Sequence, residues 1–136
     1  MSHTIIYAPG GIVHTQFAGM FTGTEVLEAA QKLHKDPRFD FILGAINDFS
    51  AVTSTPDKVP ASLLDDLAAA TIGASLHKRH LRVAVVTTSS LIADMSLFYL
   101  EATDGSWKAK VFTTLDAARD WLATPDSFGF RSSSRR

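Results

Sequence analysis

Few side chains in this sequence stand at spacings that could do chemistry. His77 and His80 are three residues apart, a separation that on a helix sets two imidazoles toward one metal ion. No third ligand is close, and Lys78 and Arg79 between them would repel a cation, so the stretch reads as a solvated basic helix end and no metal site is expected. Asp65-Asp66 is an acidic pair without a partner motif for acid–base work. Ser89-Ser90 precedes an apolar run and could receive an anion on backbone N–H groups, but helix capping accounts for it more simply. Pro9-Gly10-Gly11 lies between two β-rich runs and is a turn rather than a strand-to-helix phosphate cradle. No G-x-S-x-G elbow occurs, and the absence of cysteine removes thiolate nucleophiles, thiolate metal sites and disulfides. An enzyme is possible only through a constellation assembled in space, with His14, Asp48 and Tyr99 as its candidates.

The 136 residues are one domain's worth, and 46% apolar with 20% charged residues is ordinary globular usage. Thirteen Lys and Arg against fourteen Asp and Glu leave a formal charge of −1, with no basic footprint for nucleic acid. The longest apolar-rich stretch, Leu91 to Ala102, contains Asp94 and Glu101 and falls short of the roughly 20 residues a bilayer span needs. Met1-Ser2-His3-Thr4 does not open a secretory leader pattern. A cytoplasmic protein without cofactor or transmembrane segment is expected.

Positioning falls to alternating strands and helices. Ile5-Ile6-Tyr7 and the period-two run from Ile12 to Phe17 flank the Pro9-Gly10-Gly11 turn and predict a hairpin. Thr22 with Glu25 three residues later has capping-box spacing and announces a helix that ends before Pro37. The run from Phe39 to Ile46 suits a strand covered on both faces, and Asn47 to Pro60 turns polar and reads as a loop. Pro60 opens a helix to about Lys78, Leu81 to Thr87 is the strongest strand signal, and a helix covers Leu91 to Thr103. A short strand at Lys108–Phe112 and a helix capped by Thr113 close the domain. An α/β fold follows: a mixed sheet, opened by the hairpin and continued by βαβ units, flanked by about four helices. The domain is expected over residues 1–124, with a Ser/Arg-rich tail over 125–136.

This order resembles the STAS domain family (sulfate transporters and anti-sigma-factor antagonists), in particular its SpoIIAA-like branch of small bacterial proteins. The resemblance is carried by Ala45–Val52, Leu81–Val86 and the closing segment Lys110–Leu122, and covers roughly residues 4–123. These are mostly packing motifs, so they imply a fold more than a function. In anti-sigma antagonists the stretch after the third strand carries a phosphorylatable serine. Laid on Asp48-Phe49-Ser50-Ala51-Val52, that pattern puts its serine on Asp57 and the next on Lys58, so the phosphosite is not carried over. Ser54 and Thr55 are nearby hydroxyls off the pattern's register.

The helix from Leu91 to Ala102 is apolar nearly all round, more than a single sheet-covering face requires. Three uses are open: a helix wedged between neighbours of its own chain, a subunit interface, or a groove for an apolar ligand. Leu91, Ile92, Met95, Phe98 and Tyr99 are the candidate interface or apolar-ligand residues, and Asp48, Ser50, Ser54, Thr55 and Asp57 the candidate partner-binding loop. Phe128 and Phe130 are the apolar anchors of the tail. The leading reading is a non-catalytic regulatory or protein-interaction module, expected as a homodimer. A carrier of an apolar, lipid-like small molecule, peripheral to the membrane, is second, and a small enzyme is third.

Overall fold

The computed structural model describes residues 2–124 except Arg79, Ala102, Asp104 and Gly105, and not the side chains of His77 and Tyr99. Strands β1 (Ser2–Ala8) and β2 (Ile12–Met20) form the expected hairpin. Gly10 and Gly11 take φ of +84° and +76° in its turn, a conformation that favours residues without a Cβ. Helix α1 (Gly23–Lys35) follows, but Thr22 makes no side-chain cap bond. Glu25 instead pairs with His3 of β1 and ties the hairpin to the helix.

The apolar run after Pro37 does not begin as a strand. Residues Pro37–Phe41 form a 3₁₀ turn, capped by Asp36, that buries Phe39 and leaves Phe41 outside. Strand β3 (Gly44–Ser54) starts later and runs through most of the polar stretch expected as loop. Pairing explains its extent: β3 lies between β2 and β4, and ladder bonds outweigh the poor β propensity of Asn47, Asp48 and Ser50. Helix α2 (Ala61–His77), strand β4 (Arg82–Val86), helix α3 (Ser90–Glu101), strand β5 (Lys108–Phe112) and helix α4 (Leu115–Ala123) complete the chain. Thr114, not Thr113, caps α4. The sheet runs β1-β2-β3-β4-β5, with only β1 antiparallel to its neighbour.

The two faces of the sheet are covered unequally. Val13, Phe17, Ala45, Phe49, Val83 and Val85 face the main core, which α1, α2 and α3 close with Val26, Leu33, Leu67, Ile92 and Leu100. Ile46, Ala84 and Val86 face the other way and meet α4 alone, through Ala118, Leu115, Trp121 and Leu122. Arg82 of β4 fastens that helix. Its guanidinium donates to the Trp121 and Thr124 carbonyls, both at 2.6 Å, and lies 4.5 Å over the Trp121 ring. Because α4 packs on β3, β4 and β5, the β1–β2 half of that face has no helix over it among the described residues, and Ile6 is 43% exposed there.

In the main core the His34 ring packs against Phe39 and Trp107. Burial there holds its pKa down, from the usual 6.5 to about 4. The unfolded chain therefore binds the proton first, and stability falls as the pH drops from about 6.5 to about 4, by at most about 3 kcal/mol. Urea unfolding across that range should show this slope, and His34→Leu should flatten it; identical slopes in the two proteins would contradict the assignment.

Candidate functional site

His14 lies opposite Ile6 of β1 and Ile46 of β3, on the face shared with α4. The next β3 residue on that face is Asp48, and His14 Nε2 is 3.0 Å from Asp48 Oδ2. The β2–β3 register slips after Gln16, where β3 carries one extra residue. There Ser50 donates its backbone N–H (2.9 Å) and its hydroxyl (2.6 Å) to Asp48 Oδ1. Both members of the pair are buried, His14 at 6% and Asp48 at 5% exposure. A buried carboxylate is costly unless donors surround it, and this one has three. Burial by itself would raise the Asp48 pKa; Ser50's hydroxyl and N–H, then His14, outweigh it and hold the carboxyl below its usual range.

An ionised Asp48 accepts from Nε2–H, so in the neutral imidazole the proton sits on Nε2 and the acceptor nitrogen is Nδ1. Among the described residues Nδ1 has no hydrogen-bond partner. His14 borders an open groove of about 490 Å³ between α4 and the hairpin. Ala8, Pro9, Gly10, Ile12, His14 and Ile46 line one side, and Arg119, Leu122 and Ala123 the other. Its volume lies within the roughly 300–1,000 Å³ of small-molecule sites, and its walls are mainly apolar, as such sites are. By contrast, the cavity in the main core, bordered by Thr15, His34, Asn47 and Thr71 among apolar neighbours, encloses about 40 Å³, room for a few waters at most.

The residues singled out from the sequence divide between several places. Asp48, Ser50 and Ser54 belong to strand β3 rather than to a loop, and Thr55 and Asp57 follow it. Ser50, Ser54 and Thr55 meet Thr87, Thr88 and Ser89 in a hydroxyl-rich crevice of about 200 Å³ at the carboxyl ends of β3 and β4, which Asp48 and Asp57 do not line. Three of those hydroxyls are taken: Ser50 Oγ donates to Asp48, Thr87 Oγ1 accepts from the Ser89 N–H, and Ser89 Oγ accepts from the Ile92 N–H at the start of α3. On α3, Ile92 (1% exposed) and Met95 (4%) point into the core and offer no surface to a partner, Leu91 is half-buried, and Phe98 is exposed. The helix is apolar all round because α2 covers one flank and the sheet lies beneath it. Met95 and Phe98 line neither the large groove, which is on the opposite face, nor the core cavity, nor the hydroxyl-rich crevice. His14 and Asp48 come together, whereas the α3 backbone at Tyr99 lies across the sheet from them. Phe128 and Phe130 fall outside the described residues, as does the His77 side chain, and the described residues hold no cluster of metal-ligating side chains.

Sequence reasoning missed Arg119 and the inward setting of His14. Alternation along β2 put His14 on the polar side of that strand. The partner that makes its burial tolerable stands 34 residues away on β3, and no local pattern announces it. No protein-family model matches the chain, and no curated protein matches it.

Asp48→Ala would leave the buried His14 Nε2–H without its acceptor and remove the acceptor of the Ser50 N–H. A loss of about 2–4 kcal/mol in urea unfolding is expected, against about 1 kcal/mol for Ser50→Ala. An Asp48→Ala protein within 0.5 kcal/mol of the parent, roughly the effect of an ordinary surface change, would show that the network does not hold the strands.

Proposed function

We propose that this chain is a non-catalytic binding module of the STAS, SpoIIAA-like type that takes a small, largely apolar molecule in the groove between α4 and the hairpin. The observation that carries the reading is the groove itself, apolar-walled and of ligand size, bordered by His14, whose Nδ1 has no partner among the described residues. The order of elements along the chain, a hairpin followed by βαβ units, supports the STAS part, since that is the order on which the resemblance rests. Binding rather than turnover is favoured by the sparse chemistry at the site. Asp48 occupies one ring nitrogen of His14, and among the described residues no hydroxyl stands at the other to be activated as a nucleophile. No helix among the described residues is long and apolar enough to cross a membrane.

Native mass spectrometry of freshly purified protein tests this together with Ala123→Trp, which fills the groove from its exposed rim. A bound small molecule that disappears in the variant is the expected result. A bound mass indifferent to Ala123→Trp, or a groove that no apolar fragment enters, would contradict it.

A second reading, homodimerisation, is favoured by a different surface. Helices α2 and α3 pack on each other and leave Ile72 (42%), Leu76 (68%) and Phe98 (55%) outward. Light scattering should then give twice the 14.7 kDa chain mass, and Leu76→Asp with Phe98→Asp should halve it. A monomer at micromolar concentration in the parent protein would remove this reading.

A further inference from the structure

We infer that the groove selects an anionic amphiphile: a short alkyl chain ending in a carboxylate. The inference rests on the groove reading above and adds the head group. Two polar side chains border a surface otherwise formed by groups such as Ile12, Ile46 and Leu122. Arg119 reaches it from α4, exposed and without a hydrogen-bond or ion-pair partner among the described residues. His14 borders it from the sheet, more than nine-tenths buried, with Nδ1 unengaged.

No acidic side chain is among those that line the groove. Asp48 is the acidic group beside His14, and its two oxygens are taken by the imidazole and by Ser50. β1 contributes Ile6 opposite His14, and the hairpin turn contributes Ala8, Pro9 and Gly10 to the groove, all uncharged. The groove's own unpaired charge is therefore the Arg119 guanidinium, whose planar fork matches a carboxylate. An acid head and Nδ1 share one proton: the acid donates it to the neutral imidazole, or the imidazolium donates it to the carboxylate. A cationic head would meet Arg119 with like charge, and an alcohol would leave the guanidinium unpaired.

Titration of the full chain with octanoate, octan-1-ol and octylammonium, followed by amide NMR shifts, tests the assignment. Octanoate should shift the amides of Ile12, Ile46 and Leu122 saturably, and the other two probes should bind at least about tenfold more weakly. Arg119→Gln, a change at an exposed position, should weaken octanoate by about tenfold and leave octan-1-ol unchanged. Octan-1-ol binding as tightly as octanoate, or octanoate indifferent to Arg119→Gln, overturns the head-group assignment while the apolar groove stands. If none of the three probes shifts those amides, the groove reading itself fails. Residues 125–136 follow directly on the end of α4 that borders the groove. Octanoate binding that appears only in a Phe128→Ser, Phe130→Ser protein would therefore give the groove to the chain's own segment and overturn the proposal.

Discussion

A single helix cannot cover a five-stranded sheet. With neighbouring strands about 4.8 Å apart, the sheet is roughly 19 Å wide between its outer strands, whereas a helix with its side chains is about 10 Å across. On one face three helices share the work, and on the other α4 is the only helix among the described residues, over β3, β4 and β5. The uncovered strip over β1 and β2 is a direct consequence, and the groove is the step between that strip and the flank of α4. The groove reading depends on that mismatch of widths. Arg82 matters for the same reason, since its bonds to the end of α4 tie that helix to β4.

The exposed half of the sheet creates a second problem, which His14 and Asp48 solve. Polar side chains on a strip open to water need no partners, but these two are buried, at 6% and 5% exposure. A carboxylate in that position persists because Ser50 gives it two donors from a slip in the β2–β3 register and His14 gives a third. The arrangement fixes which nitrogen of the imidazole is spent on the protein and which is left for something else. It also joins β2 to β3 through side chains where their ladder is irregular. The polar network therefore serves the fold and prepares the site with the same atoms.

Much of the framework was legible from local signals because local physics produces it. The Pro9-Gly10-Gly11 turn, the Val83–Val86 run and the alternation in β2 each lead to the element observed. β3 escaped because Asn47, Asp48 and Ser50 are poor strand formers, held extended by neighbours on both sides rather than by their own preferences. The apolar excess of α3 was visible, and its physical meaning, burial on more than one face, matches Ile92, Met95 and Leu100. What covers those residues is α2 and the sheet of the same chain, a fact of tertiary packing that composition does not carry. The site was the least legible part. His14 and Arg119 border one groove only because a strand near the start of the chain and a helix near residue 120 lie on the same face of the sheet.

The state of one imidazole tests this account most directly. Long-range proton–nitrogen NMR of His14 in the parent protein, near neutral pH, should place a proton on Nε2 toward Asp48, and the Nδ1 resonance should move when a groove ligand is added. A proton on Nδ1 alone, or an Nδ1 resonance that ignores every molecule entering the groove, would mean that the buried pair faces its own fold and not a ligand.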